Sequence, residues 1–298
     1  MGLLLGGAGH GTTKFVPECI IYNSVSVSVS TGGGFTTLTF DSQDLNVGNL
    51  HSTSINSSRI TFEYPGRYLI MGTFAWAADS TSYRDISIIT NGSTLIGSKH
   101  MWPLVSTAWL MTISVMDHMA AGDYLTVRAR VGAATGAISL DDFRIHAVRL
   151  PNGPYCSVGR SAAQSIPDNT RTAISFTAEN SDFWNMHSTV TNPTRITVPY
   201  GGWYAAFGQA RWAGSTVGFR EMRIAVNDTA GDFIDAGSGA NLTVPDTNIV
   251  TQAQILTFLN LNANDYIEMV VGHNIGASLN IQAAGNATPS FNVAFLDH

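Results

Sequence analysis

Charge is scarce in this chain. Only 12% of its 298 residues are Asp, Glu, Lys or Arg, about half of the ~25% usual for soluble domains. The surface must therefore be built largely from Ser, Thr, Asn and Gly. The net charge of −6 comes without any basic block, so a polyanion finds no electrostatic footprint to grip and nucleic acid is not expected as a partner. Long apolar runs are missing too. No stretch approaches the ~18 apolar residues of a membrane span, and no membrane partner is expected. The opening MGLLLGGAGHGTTKF has no basic start, and its apolar run is confined to Leu3–Leu5. That is too short for an export signal. Gly6 stands where a myristoylation signal needs Ser or Thr. Residues 1–14 read as a flexible arm or one that docks along a partner.

Cysteine is equally sparse. Cys19 and Cys156 are the only two, far apart and without C-x-x-C spacing, which fits neither a disulfide framework nor a zinc site. Buried thiols are the expectation. Helical periodicity is also lacking, and no convincing 3.6-residue stripe with caps occurs.

What the chain has in quantity is self-similarity. NLHSTSINSSRITF at 49–62 returns as NMHSTVTNPTRITV at 185–198, an offset of 136 residues. The same offset pairs Phe40 with Phe176, Tyr68 with Tyr204, Trp76 with Trp212, Arg84 with Arg220, and Asn91 with Asn227. About a third of positions 40–92 are identical in the copy. Further on, AAGDYL at 120–125 matches NANDYI at 262–267, and Phe143 matches Phe291. A unit this long is a duplicated domain, since solenoid repeats recur every ~20–50 residues. The expected organisation is an arm at 1–14, one domain at 15–151 and a second at 152–298.

Within each copy the apolar period is two. Tyr68, Ile70, Gly72, Phe74 and Trp76 alternate with other residues, as do Leu125, Val127, Ala129 and Val131. Such runs are strands with one buried face. Asn91-Gly92 is a hairpin signal because both residues tolerate positive φ. Apolar content of 44% suffices for packed cores. Many short strands between Gly, Asn, Ser and Pro turns indicate an all-β sandwich or jelly roll.

The landmarks run in one order in both copies: Phe, His-Ser-Thr, Arg-Ile-Thr, Gly-x-Tyr, Trp, Arg, Asn, Asp-Tyr, Phe. This order resembles the jelly roll of the tumour necrosis factor superfamily and of the globular heads of the first complement component. It is similar in particular to the compact versions in head-decoration and minor tail proteins of tailed bacteriophages. The resemblance covers nearly the whole chain after the arm, twice. It implies two tandem TNF-like jelly-roll β-sandwich domains and a homotrimer. It implies a virion location, reached by assembly in the host cytoplasm, with the major capsid protein or other virion proteins as partners. The second copy departs from the pattern with Tyr200-Gly201-Gly202 in place of Tyr64-Pro65-Gly66, so equivalence of the two binding surfaces does not follow.

The paired His-Ser-Thr invites a catalytic reading. A nucleophile needs a base within hydrogen-bond reach, yet neighbours on an extended chain point to opposite faces, which places His51 poorly for acting on Ser52. No G-x-S-x-G elbow occurs. The chain is read as a non-enzyme, with His51 and His187 as fold or trimer-contact residues. Eight histidines are scattered without H-E-x-x-H spacing, and no D-x-D-x-D-G loop appears, so no metal or cofactor is assigned. Trp76 with Arg84 and Trp212 with Arg220 suggest a sugar-stacking platform, but the alternation makes both tryptophans core residues. Trp102, Trp184 and Trp203 lie in less regular stretches and are the candidate interface anchors.

Capsid decoration is the leading expectation, because the chain has no long coiled-coil or fibre shaft. A receptor-binding tail protein that recognises a host-surface glycan is the alternative. A secreted cytokine-like ligand is the reading from another class, and the missing export signal counts against it.

Overall fold

A computed structural model describes residues 15–30, 32–78, 82–101, 109–132, 138–215, 217–228, 235–243, 252–283 and 288–297. The arm at 1–14 and Trp102 lie outside them. The chain divides into two compact units, one of them Phe15–Leu150 and the other running from Pro151 to His298.

The first unit contains β1 (Glu18–Tyr22), β2 (Val27–Val29), β3 (Thr36–Thr37), β4 (Ser42–Val47), β5 (Arg59–Phe62), β6 (Gly66–Trp76), β7 (Arg84–Thr90), β8 (Thr94–Met101), β9 (Trp109–Met119), β10 (Asp123–Val131) and β11 (Ile138–Arg149). They form two antiparallel sheets. One has the order β4-β1-β11-β6-β9, with β2 also on β11; the other has β3-β10-β7-β8, with β5 also on β10. From β6 onward the chain leaves the first sheet for the β7–β8 hairpin, returns at β9, crosses to β10 and comes back at β11. This alternation between facing sheets is a jelly roll.

The second unit contains β12 (Tyr155–Gly159), β13 (Gln164–Ile166), β14 (Thr172–Ala173), β15 (Ala178–Ser181), β16 (Arg195–Thr197), β17 (Gly202–Arg211), β18 (Phe219–Val226), β19 (Asp235–Thr243), β20 (Gln252–Leu261), β21 (Tyr266–His273), β22 (Leu279–Ile281) and β23 (Ser290–Asp297). Its main sheets, β15-β12-β23-β17-β20 and β14-β21-β18-β19 with β16 on β21, repeat the order of the first unit, and β13 pairs with β22. No helix occurs among the described residues.

The period-two stripes explain the cores. Tyr68, Ile70, Phe74 and Trp76 point inward from β6 and meet Ile86, Ile88, Leu125 and Val127 from the opposite sheet. Tyr204, Ala206, Ala210 and Trp212 meet Met222, Ile224 and Ile267 in the second unit. Each large side chain so enclosed contributes about 1.5–3 kcal/mol. The tyrosines keep their hydroxyls satisfied inside: Tyr68 donates to the Tyr64 carbonyl at 2.8 Å and Tyr204 to the Tyr200 carbonyl at 2.9 Å. One strand departs from simple alternation. All seven residues of β7 are buried, and its outward Asp85 lies beneath Arg130, which hydrogen-bonds it at 2.6 Å. A long cationic side chain covers what periodicity alone assigns to solvent.

Candidate functional site

The histidines of the repeated motif sit between strands, in the loops that follow β4 and β15, with both residues buried. The His51 ring is held by two backbone carbonyls: Nδ1 lies 2.8 Å from Arg59 O and Nε2 lies 3.3 Å from Phe40 O. The backbone of His51 is gripped as well, since Asn46 Nδ2 donates to its carbonyl at 2.8 Å. Ser52 Oγ accepts the Ile55 amide at 3.1 Å, and Ser188 Oγ accepts the Thr191 amide at 3.0 Å. These are hydroxyls that close turns. Neither motif presents a serine to its histidine among these contacts.

The second copy changes the chemistry around its imidazole. Gln43 and Asn46 become Glu179 and Asp182. Glu179 Oε1 lies 3.0 Å from His187 Nδ1, and the two Asp182 oxygens accept the Met186 and His187 amides at 2.9 Å each. Cys156 is buried beside them, and burial together with the Asp182 and Glu179 carboxylates pushes its thiol well above the ordinary range. Cys19 in the first copy is pushed up to about 12, chiefly by burial. Both are inert thiols in this setting. Among the described residues no group of three His, Cys, Asp or Glu is arranged to hold a metal ion.

The tryptophan–arginine pairs are core fixtures. Trp76 and Trp212 are fully buried, as are Arg84 and Arg220. Arg84 donates to the Ser82 carbonyl, with its guanidinium 5.8 Å from the Trp76 ring. Arg220 donates to the carbonyls of Val217, Gly218 and Ser215 at 2.7, 3.1 and 3.1 Å. Guanidinium forks here tie down the loop that enters the strand.

A second paired device had its signal in the AAGDYL and NANDYI matches. Asn91, at φ 49°, donates to Asp123 at 2.8 Å, and Asn227, at φ 52°, donates to Asp265 at 2.6 Å. Each asparagine also accepts the amide of the following tyrosine, Tyr124 at 3.1 Å and Tyr266 at 2.9 Å. The Asn91 hydrogen bond leads the causes that hold the Asp123 carboxyl below its usual range. Arg59 and Arg195 then cover those tyrosine rings at 4.1 and 3.9 Å.

The surface holds the remaining candidates. Trp184 and Trp203 are 42% and 46% exposed, near Phe183 at 90% and Tyr200 at 47%. The Trp184 and Tyr200 rings meet edge to face, 5.8 Å apart. So the structure places His51 and His187 inside and Trp184 and Trp203 outside, and brings Trp184 together with Tyr200. Sequence reasoning did not single out Tyr200, Phe183, Glu179 or Asp182. The repeat carried a signal for Phe183, Glu179 and Asp182, as positions where the copies differ, and for Tyr200 as one they share. His273 was missed as well: its wholly buried ring lies 2.9 Å from the Ile166 carbonyl and 3.6 Å from Asp168, at the place of Val131.

No protein-family model matches the sequence, and no curated protein matches it. Among solved structures, the globular domain of zebrafish complement 1qA is similar at 11% identity and a TM-score of 0.37, covering 45% of this chain and 96% of that one. Murine APRIL at pH 5.0 is similar at 15% identity and a TM-score of 0.36, covering 45% of this chain and 99% of that one. The jelly-roll assignment rests on the strand order and register of the chain itself.

Proposed function

We propose that this chain is a structural protein of a tailed-bacteriophage particle that assembles as a homotrimer and decorates the head shell. Its partners in this reading are further copies of itself and the major capsid protein or another virion protein. The observation that carries an assembly role is where the reactive side chains have gone. His51, His187, Arg84, Arg220 and both thiols are inside and engaged with backbone or packed in the cores. Outward on the edge strands, among polar residues such as Thr112 and Asn260, stand two large apolar side chains: Leu110 on β9 is 65% exposed and Phe258 on β20 is 37% exposed. Large exposed apolar side chains are what an assembly contact uses. The phage assignment is supported by the ordered landmarks of the two copies.

Two measurements test it. Sedimentation of the purified chain should give three times its 31.8 kDa mass. Quantitative mass spectrometry of purified particles should find hundreds of copies. A handful of copies would favour a tail position, the second reading, which the exposed aromatic cluster of the second unit supports. Absence from particles would overturn both.

A further inference from the structure

The second unit carries four exposed aromatics where the first has the pair Phe15 and Tyr64, and we propose that this larger cluster is a binding site for an uncharged glycan. Phe183, Trp184, Tyr200 and Trp203 occupy the positions of Val47, Gly48, Tyr64 and Arg67. In the first unit the shared tyrosine meets one ring only among the described residues, Phe15 at 5.0 Å, and stays 39% exposed. A side chain at position 48 would run into both, since a Cβ there would lie 3.1 Å from Tyr64 and 3.3 Å from Phe15. In the second unit the aromatic comes from position 184 itself, and the counterpart of Phe15, one residue further along than the main offset, is Asn152. The same tyrosine position thus has a single aromatic partner in the first copy and lies beside three further exposed aromatics in the second.

Backbone geometry completes the site. Tyr200 is anchored, its carbonyl accepting from the buried Tyr204 hydroxyl at 2.9 Å. Gly201 and Gly202 follow, where the first copy has Pro65-Gly66, so no side chain rises between Tyr200 and Trp203. Three peptide steps keep these two Cα atoms within about 11 Å of each other. Tyr204 points into the core, so Trp203 points away from it. Across the β17–β20 ladder Trp203 stands opposite Asn260, which is exposed. Partners in register share a sheet face, so the indole and the carboxamide lie side by side. The matching pair in the first copy is Arg67 opposite His118.

Aromatic rings with an adjacent amide suit one class of ligand. A pyranose offers a face of C–H groups for a ring to stack on, and hydroxyls to which a carboxamide both donates and from which it accepts. Charge selects among glycans. Residues 152–298 contain six Arg and no Lys against eleven Asp and Glu, and no member of the cluster is cationic. Phosphorylated or sialylated polymers would meet repulsion, whereas a neutral sugar would not. This inference holds wherever in a particle the chain is located.

The test uses the full chain on an array of immobilised oligosaccharides: uncharged glucose, galactose, mannose, rhamnose and N-acetylglucosamine trisaccharides beside sialylated and phosphorylated ones. Retention on at least one uncharged trisaccharide is expected, followed by tryptophan-fluorescence titration with that sugar. Trp203→Ala and Tyr200→Ala should each weaken binding by about tenfold, the effect of one lost stacking contact, and Asn260→Ala should weaken it less. Tyr64→Ala in the first unit should leave affinity unchanged. Circular dichroism melts show that each variant is folded, and Trp203→Gln serves if Trp203→Ala is not. The proposal is overturned if no uncharged sugar is retained, if only charged ones are, or if affinity survives in both aromatic variants. It is equally overturned if Trp203→Ala changes the sedimenting mass, because the ring would then belong to a contact between copies.

Discussion

His187 Nδ1 lies 3.0 Å from Glu179 Oε1, and its Nε2 lies 3.2 Å from the Pro193 carbonyl. In the first copy the position of Glu179 is Gln43, and the His51 ring binds the carbonyls of Arg59 and Phe40. The duplication has kept an imidazole as a tie between loop and strand while changing what it ties. The His187 side chain is wholly buried but Glu179 is 37% exposed, so water screens the pair. Glu179→Gln should therefore cost at most about 1 kcal/mol. His187→Ala empties the volume of a wholly buried ring, which should cost about 2–4 kcal/mol. Urea unfolding of the two variants checks this, and equal costs would contradict the tie.

Much of this architecture was legible in the sequence because it is written twice. The offset pairing Trp76 with Trp212 marks core, and the period-two stripe from Tyr68 to Trp76 marks a strand before any coordinates are seen. What was not legible depends on partners distant in sequence. Asp85 reads as a solvent-facing residue on a strand, and only the β10–β7 ladder brings Arg130 over it. Burial at Trp212 and exposure at Trp184 follow the alternation of one stretch and its absence in the other, but the contact of Trp184 with Tyr200 does not.

The cysteines give a chemical check on both cores. Each thiol is buried, and burial raises both away from the thiolate form that reacts. Native protein at pH 8 should show no reaction with Ellman's reagent over the time in which denatured protein releases two equivalents. Rapid native labelling of either residue would show that its core opens.

Two glycines in matching places separate a rigid neighbour from a yielding one. A Cβ on Gly72 would lie 2.6 Å from Phe74 Cε2 and 2.8 Å from Ile145 Cδ1, whereas on Gly208 it would meet the Met269 sulfur first. A phenyl ring fixed in the core gives way less readily than an unbranched thioether. Gly72→Ala should destabilise the first unit by about 1–3 kcal/mol, and Gly208→Ala should cost the second unit less. Melting curves for the two variants order them.

Lys99 provides a pH signature for the first unit. It pairs with Ile86 across the β7–β8 ladder, on the inward side, and is only 7% exposed. Burial brings its ammonium down from 10.5 to about 8. Between those two values the unfolded chain holds a proton that the folded chain has released. Stability must then rise with pH across that window, reaching its full gain above the unfolded value. The Cys19 thiol, pushed up to about 12 from 9.0, acts in the opposite sense as pH climbs through 9, and it is present in any Lys99 variant. Comparing wild type with Lys99→Met, a change that keeps side-chain volume, cancels it. From pH 7 to 10.5 the wild type should gain on the order of 3 kcal/mol relative to Lys99→Met, read from urea midpoints at half-unit steps. A difference curve that stays flat would mean that the amine is solvated in the folded state and that β8 does not hold its lysine inward.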